Sequence, residues 1–165
     1  MRRLTLLIAV VVLVAGAASA QLGLKFGAGA AYSTPAGDFA DRAGAGWGGS
    51  VQAKLGIPIV TLTGAVEYLD FGEKDVTGGT STSQMWGFNV GGRFTLFPFL
   101  YAGAEIGTYQ ENSTAKIAGM ENKGSITRGS AAPIVGVEFL GFDVNARYVF
   151  IDKTEFTSIR ATYWF

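Results

Sequence analysis

The chain has 165 residues, with 13 basic and 13 acidic side chains, no histidine and no cysteine. A protein that binds nucleic acid needs a basic stripe, so the even charge balance argues against a nucleic-acid partner. The chain lacks His and Cys, the residues on which Ser–His nucleophile pairs, histidine general bases and most transition-metal sites depend. We therefore predict no enzyme activity and no cofactor.

The N-terminal segment has the three parts of a secretory signal peptide. Two arginines follow the initial Met, an apolar run comes next, and Ala18-Ser19-Ala20 matches the small-residue cleavage site. The apolar run is shorter than the about 20 residues that cross a bilayer, which disfavours the alternative of a transmembrane anchor. We therefore predict a signal peptide over 1–20 and one mature domain over 21–165. The mature chain would carry 11 basic and 13 acidic residues, a net charge of −2.

Apolar and polar residues of the mature chain alternate with a period of two, which is typical of half-buried β-strands. The clearest example is 142–151, where Phe142 and Val144 lie on the face opposite Asp143 and Arg147. Pro133 falls near the start of a predicted strand, where its missing N–H matters least. The eight predicted strands span 22–33, 47–56, 59–71, 84–96, 99–111, 130–139, 142–151 and 156–165.

Short and long connections alternate along the chain. The short links are Ile57-Pro58, Phe97-Pro98 and Leu140-Gly141. The long stretches are polar and rich in Gly, and span 34–46, 72–83 and 112–129. Outer-membrane barrels show the same alternation, with short periplasmic turns and long extracellular loops. The sequence therefore predicts an all-β fold, an eight-stranded antiparallel up-and-down transmembrane β-barrel with both termini periplasmic.

The last predicted strand carries the most specific signal, because Ile159, Ala161, Tyr163 and Phe165 alternate up to the C-terminal residue. This pattern resembles the terminal strand of outer-membrane proteins, where a final Phe with alternate hydrophobic residues is read by the barrel-assembly machinery. The whole mature chain resembles the small eight-stranded outer-membrane β-barrel family, similar to outer-membrane proteins A and X. The resemblance implies a Gram-negative-type outer membrane, the barrel-assembly machinery as a partner during insertion, and an assembly signal in these four residues.

Residues at alternate positions of a strand face the same side of the barrel wall. This alternation, which we call parity, predicts which side chains point into the barrel. Eight strands leave an interior that side chains just fill, and charges enclosed there require partners. A nearly balanced set of charges therefore predicts a salt-bridged, largely plugged lumen. The predicted lumen polar network comprises Lys25, Lys54, Glu67, Arg93, Glu105, Glu138, Asp143, Arg147 and Arg160, with the uncharged Gln52, Asn89 and Asn145.

In the predicted strand 99–111, polar and apolar residues do not separate cleanly onto two faces. If Glu105 points inward, Tyr101 and Tyr109 point inward with it. The opposite orientation would place the Glu105 carboxylate against lipid, which costs more free energy than placing Tyr101 and Tyr109 in the lumen. We therefore predict that Glu105 faces the lumen.

Three functions compete at this point. The leading hypothesis is a structural or surface-interaction barrel, a monomer embedded in outer-membrane lipid, whose extracellular loops bind a partner that the sequence does not identify. The alternative is a narrow porin-like channel for ions or small solutes, with lumen glycines such as Gly27, Gly29, Gly91 and Gly107 leaving water-filled gaps. A soluble lipocalin-type barrel would invert the predicted charge placement. Acidic loop residues such as Asp70 and Asp75 lack the regular spacing of a Ca²⁺ site, so we predict no metal.

Overall fold

The computed structural model describes residues 23–57, 59–117 and 120–165, so the predicted signal peptide, Gln21 and Pro58 lie outside the described residues. The part of the chain that is described contains no helix long and apolar enough to cross a bilayer. A short 3₁₀ helix, Gly37–Asp41, follows the first strand. The eight strands are β1 (Leu24–Ala36), β2 (Gly46–Gly56), β3 (Thr61–Val76), β4 (Gly79–Thr95), β5 (Leu100–Ile117), β6 (Met120–Phe139), β7 (Phe142–Ile151) and β8 (Glu155–Trp164).

Each strand pairs antiparallel with its neighbours in the chain, and β1 pairs with β8 to close the ring. The closing ladder runs from Gly27 opposite Trp164 to Ala36 opposite Glu155. This confirms the predicted eight-stranded up-and-down barrel. Closure satisfies the backbone groups that an open sheet would leave unpaired at its two edges.

The two ends of the barrel differ in their connections. We call the end with the links β2–β3, β4–β5 and β6–β7 the turn end, and the opposite end the hairpin end. At the turn end, Leu140 and Gly141 both have positive φ, 51° and 83°. Two positive φ values characterise the type I′ turn, whose twist matches that of the strands it joins.

Two of the three stretches predicted as long loops, 72–83 and 112–129, are mostly strand, which corrects the sequence prediction. β3 and β4 continue through 72–83 with only Thr77 and Gly78 between them, and β5 and β6 occupy most of 112–129. In 34–46, β1 extends to Ala36 before the 3₁₀ helix begins. The hairpins are largely exposed on both faces, so their residues need not alternate between apolar and polar. Their backbones are nonetheless paired.

Pro133 lies in the interior of β6, and not near the start of a strand as predicted, because β6 begins at Met120. The ladder between β6 and β7 is interrupted at this point: Ala131 pairs with Phe150 and Ile134 with Arg147, with no pairs between them. A proline has no N–H to donate, so the interruption follows from its chemistry. The register is the same on both sides of it.

The outer surface of the ring is apolar. Side chains such as Val51, Phe88, Val90, Ile106 and Val135 point outward and are exposed. Aromatic pairs occupy this surface near both ends, and their ring centroids lie 4.6–5.0 Å apart. These pairs are Tyr32–Trp47, Tyr68–Trp86 and Tyr148–Phe150 near the hairpin end, and Phe142–Tyr163 near the turn end.

Candidate functional site: the closed lumen

Four charged side chains form a layer across the centre of the barrel. Arg147 of β7 pairs with Glu67 of β3 through Nη2, and its Nη1 lies 3.3 Å from Glu105 Oε2 of β5. Arg160 of β8 reaches the other oxygen of Glu105 at 2.6 Å. These side chains are at most 3% exposed. Because they come from strands on different sides of the ring, we call them the central layer.

Neutral groups add hydrogen bonds to the central layer, in which Arg147 Nε and Arg160 Nε and Nη1 have no partner among the described residues. The Tyr109 hydroxyl donates to Glu67, and Asn89 Nδ2 donates to the same carboxylate oxygen at 3.0 Å. A buried carboxylate that accepts several hydrogen bonds, some of them from a cation, recovers part of the hydration it has lost. The layer is therefore a connected network and not an isolated ion pair.

A second group of charges lies towards the turn end. Arg93 Nη1 is 2.6 Å from Asp143 Oδ2, and Tyr101 and Asn145 also donate to Asp143, at 2.9 and 2.8 Å. The Arg93 guanidinium stacks on the ring of Tyr101, with 4.5 Å between its carbon and the ring centroid. Asp143 is fully buried, so these donors take the place of water around it.

Beyond that group, Lys54 forms an ion pair with Glu138 and lies 4.3 Å above the ring of Trp164. Eight of the nine charged residues of the predicted lumen network thus take part in ion pairs. Lys25 is the exception: it points towards the same end and is exposed. Among the described residues, no carboxylate lies within ion-pair distance of its ammonium. Glu105, Tyr101 and Tyr109 all face inward, as their shared parity requires.

The hairpin end of the lumen is closed by an apolar cluster that the sequence analysis missed. Phe39 of the 3₁₀ helix folds into the barrel mouth and is completely buried. Its ring packs edge-on against Phe71 at 4.9 Å, and Phe71 packs against Phe156 at 5.5 Å. We call these residues and their buried neighbours the Phe39 plug. Its other members are Ala31, Ala43, Leu69, Met85, Tyr109, Ala132, Val149 and Ile151.

Glu111 holds the segment after Phe39 in place. Arg42 Nη1 lies 2.8 Å from Glu111 Oε1, and Ser83 donates to the same oxygen at 3.1 Å. Arg128 Nη1 lies 3.4 Å from Glu111 Oε2, to which Thr154 also donates. This carboxylate therefore connects three strands and two connections at the hairpin end.

Two signals in the sequence point to the Phe39 plug. Phe39 is the only aromatic residue in 34–46. The inward positions also become apolar towards the hairpin end, at Leu69, Phe71, Met85 and Val149. Parity alone places these residues inside, but it does not show that a connection folds back to cover them.

The glycines of the lumen do not leave open gaps, which corrects the expectation attached to the channel alternative. A Cβ on Gly27 would lie 2.7 Å from the Trp164 ring, and one on Gly91 would lie 2.8 Å from Glu105 Cγ. The space over Gly29 and Gly107 is likewise occupied, by Thr162 and Asn89. Here glycine makes room for a large or polar neighbour.

The residues of the predicted assembly signal lie on the outer face. Ile159, Ala161, Tyr163 and Phe165 are all exposed there. The backbone of Phe165 exchanges hydrogen bonds with Phe26 of β1, with N···O distances of 2.9 and 3.4 Å. No group of three His, Cys, Asp or Glu side chains among residues 23–57, 59–117 and 120–165 is arranged to hold a metal ion.

No family model matches the sequence, and no curated protein matches it. Solved structures do match. The N-terminal β-barrel domain of Pseudomonas aeruginosa OprF is 16% identical (TM-score 0.65), and the match covers 86% of this chain and 97% of that domain. The attachment invasion locus protein Ail of Yersinia pestis is 13% identical (TM-score 0.64), with the same coverage of both chains. Neisserial surface protein A is 12% identical (TM-score 0.56), covering 86% of this chain and 96% of that one. At such identities the similarity concerns the fold, and the chain therefore has the fold of the small eight-stranded outer-membrane β-barrels, the group that its sequence resembles.

Proposed function

We propose that this protein is a small integral outer-membrane barrel with a structural or surface-interaction role and a lumen closed by its own side chains. The observation that carries the proposal is the central layer. Its ion pairs link β3, β5, β7 and β8, and the Arg147–Glu67 pair is 0% exposed on both sides. Charges enclosed and paired in this way support a lumen that is closed by its own side chains.

The outer surface supports lipid as the surrounding medium. Exposed Val, Ile and Phe side chains cover the ring, and aromatic pairs lie near both of its ends. Such apolar bands between aromatic girdles are the lipid-contacting surface of outer-membrane barrels. By the same rule we place the turn end, with both chain termini, in the periplasm and the hairpin end outside the cell, and we propose a monomer.

The competing function is a narrow channel, and conductance separates the two. We expect the folded protein in planar lipid bilayers to show no discrete current steps. A triple variant, Phe39→Ala with Glu67→Ala and Arg147→Ala, removes both the plug and the centre of the central layer, and serves as the control that should conduct. Regular steps from the unaltered protein would favour the channel.

The hairpin end is the surface available for interaction with partners. Ail of Yersinia pestis has been solved in complex with the heparin analogue sucrose octasulfate. At the hairpin end of this chain, the stretches 34–46, 72–83, 112–129 and 152–155 carry four basic and six acidic exposed residues: Lys74, Lys116, Lys123, Lys153, Asp38, Asp41, Glu73, Asp75, Glu121 and Asp152. This excess of acidic residues does not favour a polyanion, so we propose a neutral polar partner. We expect the protein to elute from immobilised heparin at a salt concentration below the physiological one. Elution only above that concentration would overturn this expectation.

Export by a cleaved signal peptide completes the proposal. We propose that the mature protein begins at Gln21, on the evidence of the Ala18-Ser19-Ala20 site. The barrel-assembly machinery would then act on the C-terminal strand. Mass spectrometry of outer-membrane fractions should give the mass of 21–165, and a retained N-terminal segment would contradict both the cleavage and the orientation that follows from it.

A further inference from the structure

The turn end of the lumen contains a cavity of about 310 Å³. It lies between the barrel mouth and the group formed by Arg93 and Asp143. Its charged lining consists of Lys25, Lys54, Arg93 and Glu138. Three cations therefore face one carboxylate, and that carboxylate is already engaged by Lys54.

The two lysines are arranged unfavourably for an empty cavity. Lys25 and Lys54 are direct cross-strand partners in the β1–β2 ladder, and both point to the lumen side. Like charges at directly opposed positions destabilise a strand pair. Lys54 has Glu138 to offset its charge, whereas Lys25 has no carboxylate within reach among the described residues.

Arg93 adds donors that its own ion pair does not use. The residue is 3% exposed and binds Asp143 through Nη1, while its Nε and Nη2 have no hydrogen-bond partner in the described structure. The Nε–H and Nη2–H groups form one edge of the guanidinium fork, which fits the two oxygens of a carboxylate or phosphate. A buried donor without a partner costs free energy, and an acceptor would remove that cost.

We propose that this cavity binds a small oxyanion, a phosphate or carboxylate group that enters from the turn end. Lys25 supplies the charge that lacks a partner, and Lys54 lies opposite it. Arg93 also lines the cavity, and its free edge, which is buried before binding, would turn toward the anion. The hydroxyls of Thr61 and Thr95 line the same space as neutral donors. The site goes beyond the proposed structural role and does not depend on it.

Inorganic phosphate is the probe. The folded, ¹⁵N-labelled protein in dodecyl maltoside micelles, which contain no phosphate, is titrated with phosphate at constant ionic strength. We expect saturable shifts of the backbone amides at Lys25, Lys54 and Thr95 and none at the hairpin end. Shifts that grow linearly without saturation, or that appear equally at both ends of the barrel, would overturn the proposal.

Variants identify the groups responsible. Lys25→Gln removes an exposed charge with no structural partner and should weaken binding about fivefold, whereas Lys25→Arg should retain it. Arg93→Lys keeps the charge but loses the bidentate edge, and should weaken binding about tenfold. Lys74→Gln, the same charge change at the hairpin end, is the matched control and should have no effect. Unchanged binding in Lys25→Gln would refute the site.

Nanodiscs distinguish the two sources of the oxyanion. If phosphatidylglycerol reproduces the phosphate-induced shifts when it is added to phosphatidylcholine nanodiscs, the site takes a lipid headgroup. If only free phosphate produces them, it takes a soluble anion. Both results support an oxyanion site, whereas the absence of shifts in both experiments contradicts it.

Discussion

Arg147 on β7 and Glu67 on β3 form an ion pair across the centre of the barrel, and solvent reaches neither side chain. The same arginine contacts Glu105, which also binds Arg160. Ion pairs withdrawn from water stabilise a fold only when their remaining groups are also hydrogen-bonded. Tyr109 and Asn89 provide those bonds to Glu67. The charged residues of the central layer therefore share hydrogen-bond partners, and its members depend on one another.

Replacing Arg147 tests this dependence. Arg147→Leu leaves Glu67 and Glu105 without one of their cations, and we expect a loss of about 3–5 kcal/mol in the free energy of unfolding. Urea unfolding in lipid vesicles measures it. Lys74→Leu, in the exposed part of β3, is the control and should change stability little. Equal stability of the two variants would mean that water solvates the central layer, which would favour the channel.

Removing the aromatic ring of Phe39 should open the hairpin end without opening the lumen. Phe39 is fully buried against Phe71, so Phe39→Ala should cost about 3–5 kcal/mol of packing. Because the 3₁₀ helix lies in a connection, we expect local release, seen as faster amide exchange over 37–45. Conductance should stay absent, since the central layer remains. Phe150→Ala, on the outer face, should leave exchange at 37–45 unchanged, and similar exchange in both variants would contradict the plug.

The close approach of Tyr109 to Gly87 gives a third prediction. A Cβ on Gly87 would lie 2.6 Å from Tyr109 Cε1 and 3.0 Å from Glu67 Cγ, so Gly87→Ala should displace the central layer and cost about 1–3 kcal/mol. Gly49→Ala is the matched control, because the nearest atom to its Cβ is 3.7 Å away. Unfolding midpoints in urea compare the two. Equal midpoints would show that the Tyr109 ring moves aside at no cost.

The last residue separates assembly from stability. Phe165→Asp keeps the backbone hydrogen bonds to Phe26 and removes an outward side chain that is 63% exposed. One apolar side chain contributes about 1.5–3 kcal/mol by burial, too little to unfold a closed barrel. We therefore expect low outer-membrane levels in cells with near-normal refolding into detergent micelles. Phe165→Tyr is the conservative control. Normal cellular levels of Phe165→Asp would exclude an assembly signal in this residue.

Much of the barrel follows from the alternation of residues along each strand. In β7, Asp143 and Arg147 share one parity and Phe142 and Val144 the other, and the structure places the first pair inside and the second outside. This inference works because a strand directs successive side chains to opposite faces. It fails in the hairpins around 72–83 and 112–129, where neither face is buried and alternation carries no information.

Parity states which side of the wall a residue occupies, but not which residue it meets. Alternation within single strands is enough to infer that Glu67, Arg147 and Glu105 share one interior. Only the folded barrel shows that Arg147 reaches Glu67 across the lumen, that Phe39 folds back into the barrel mouth, and that no carboxylate of the described residues lies within ion-pair distance of Lys25. These outcomes depend on the register of eight strands and on ring closure, which bring together side chains up to 125 positions apart in the chain. Such pairings depend on distances in the folded barrel, which the periodicity of a single strand does not specify.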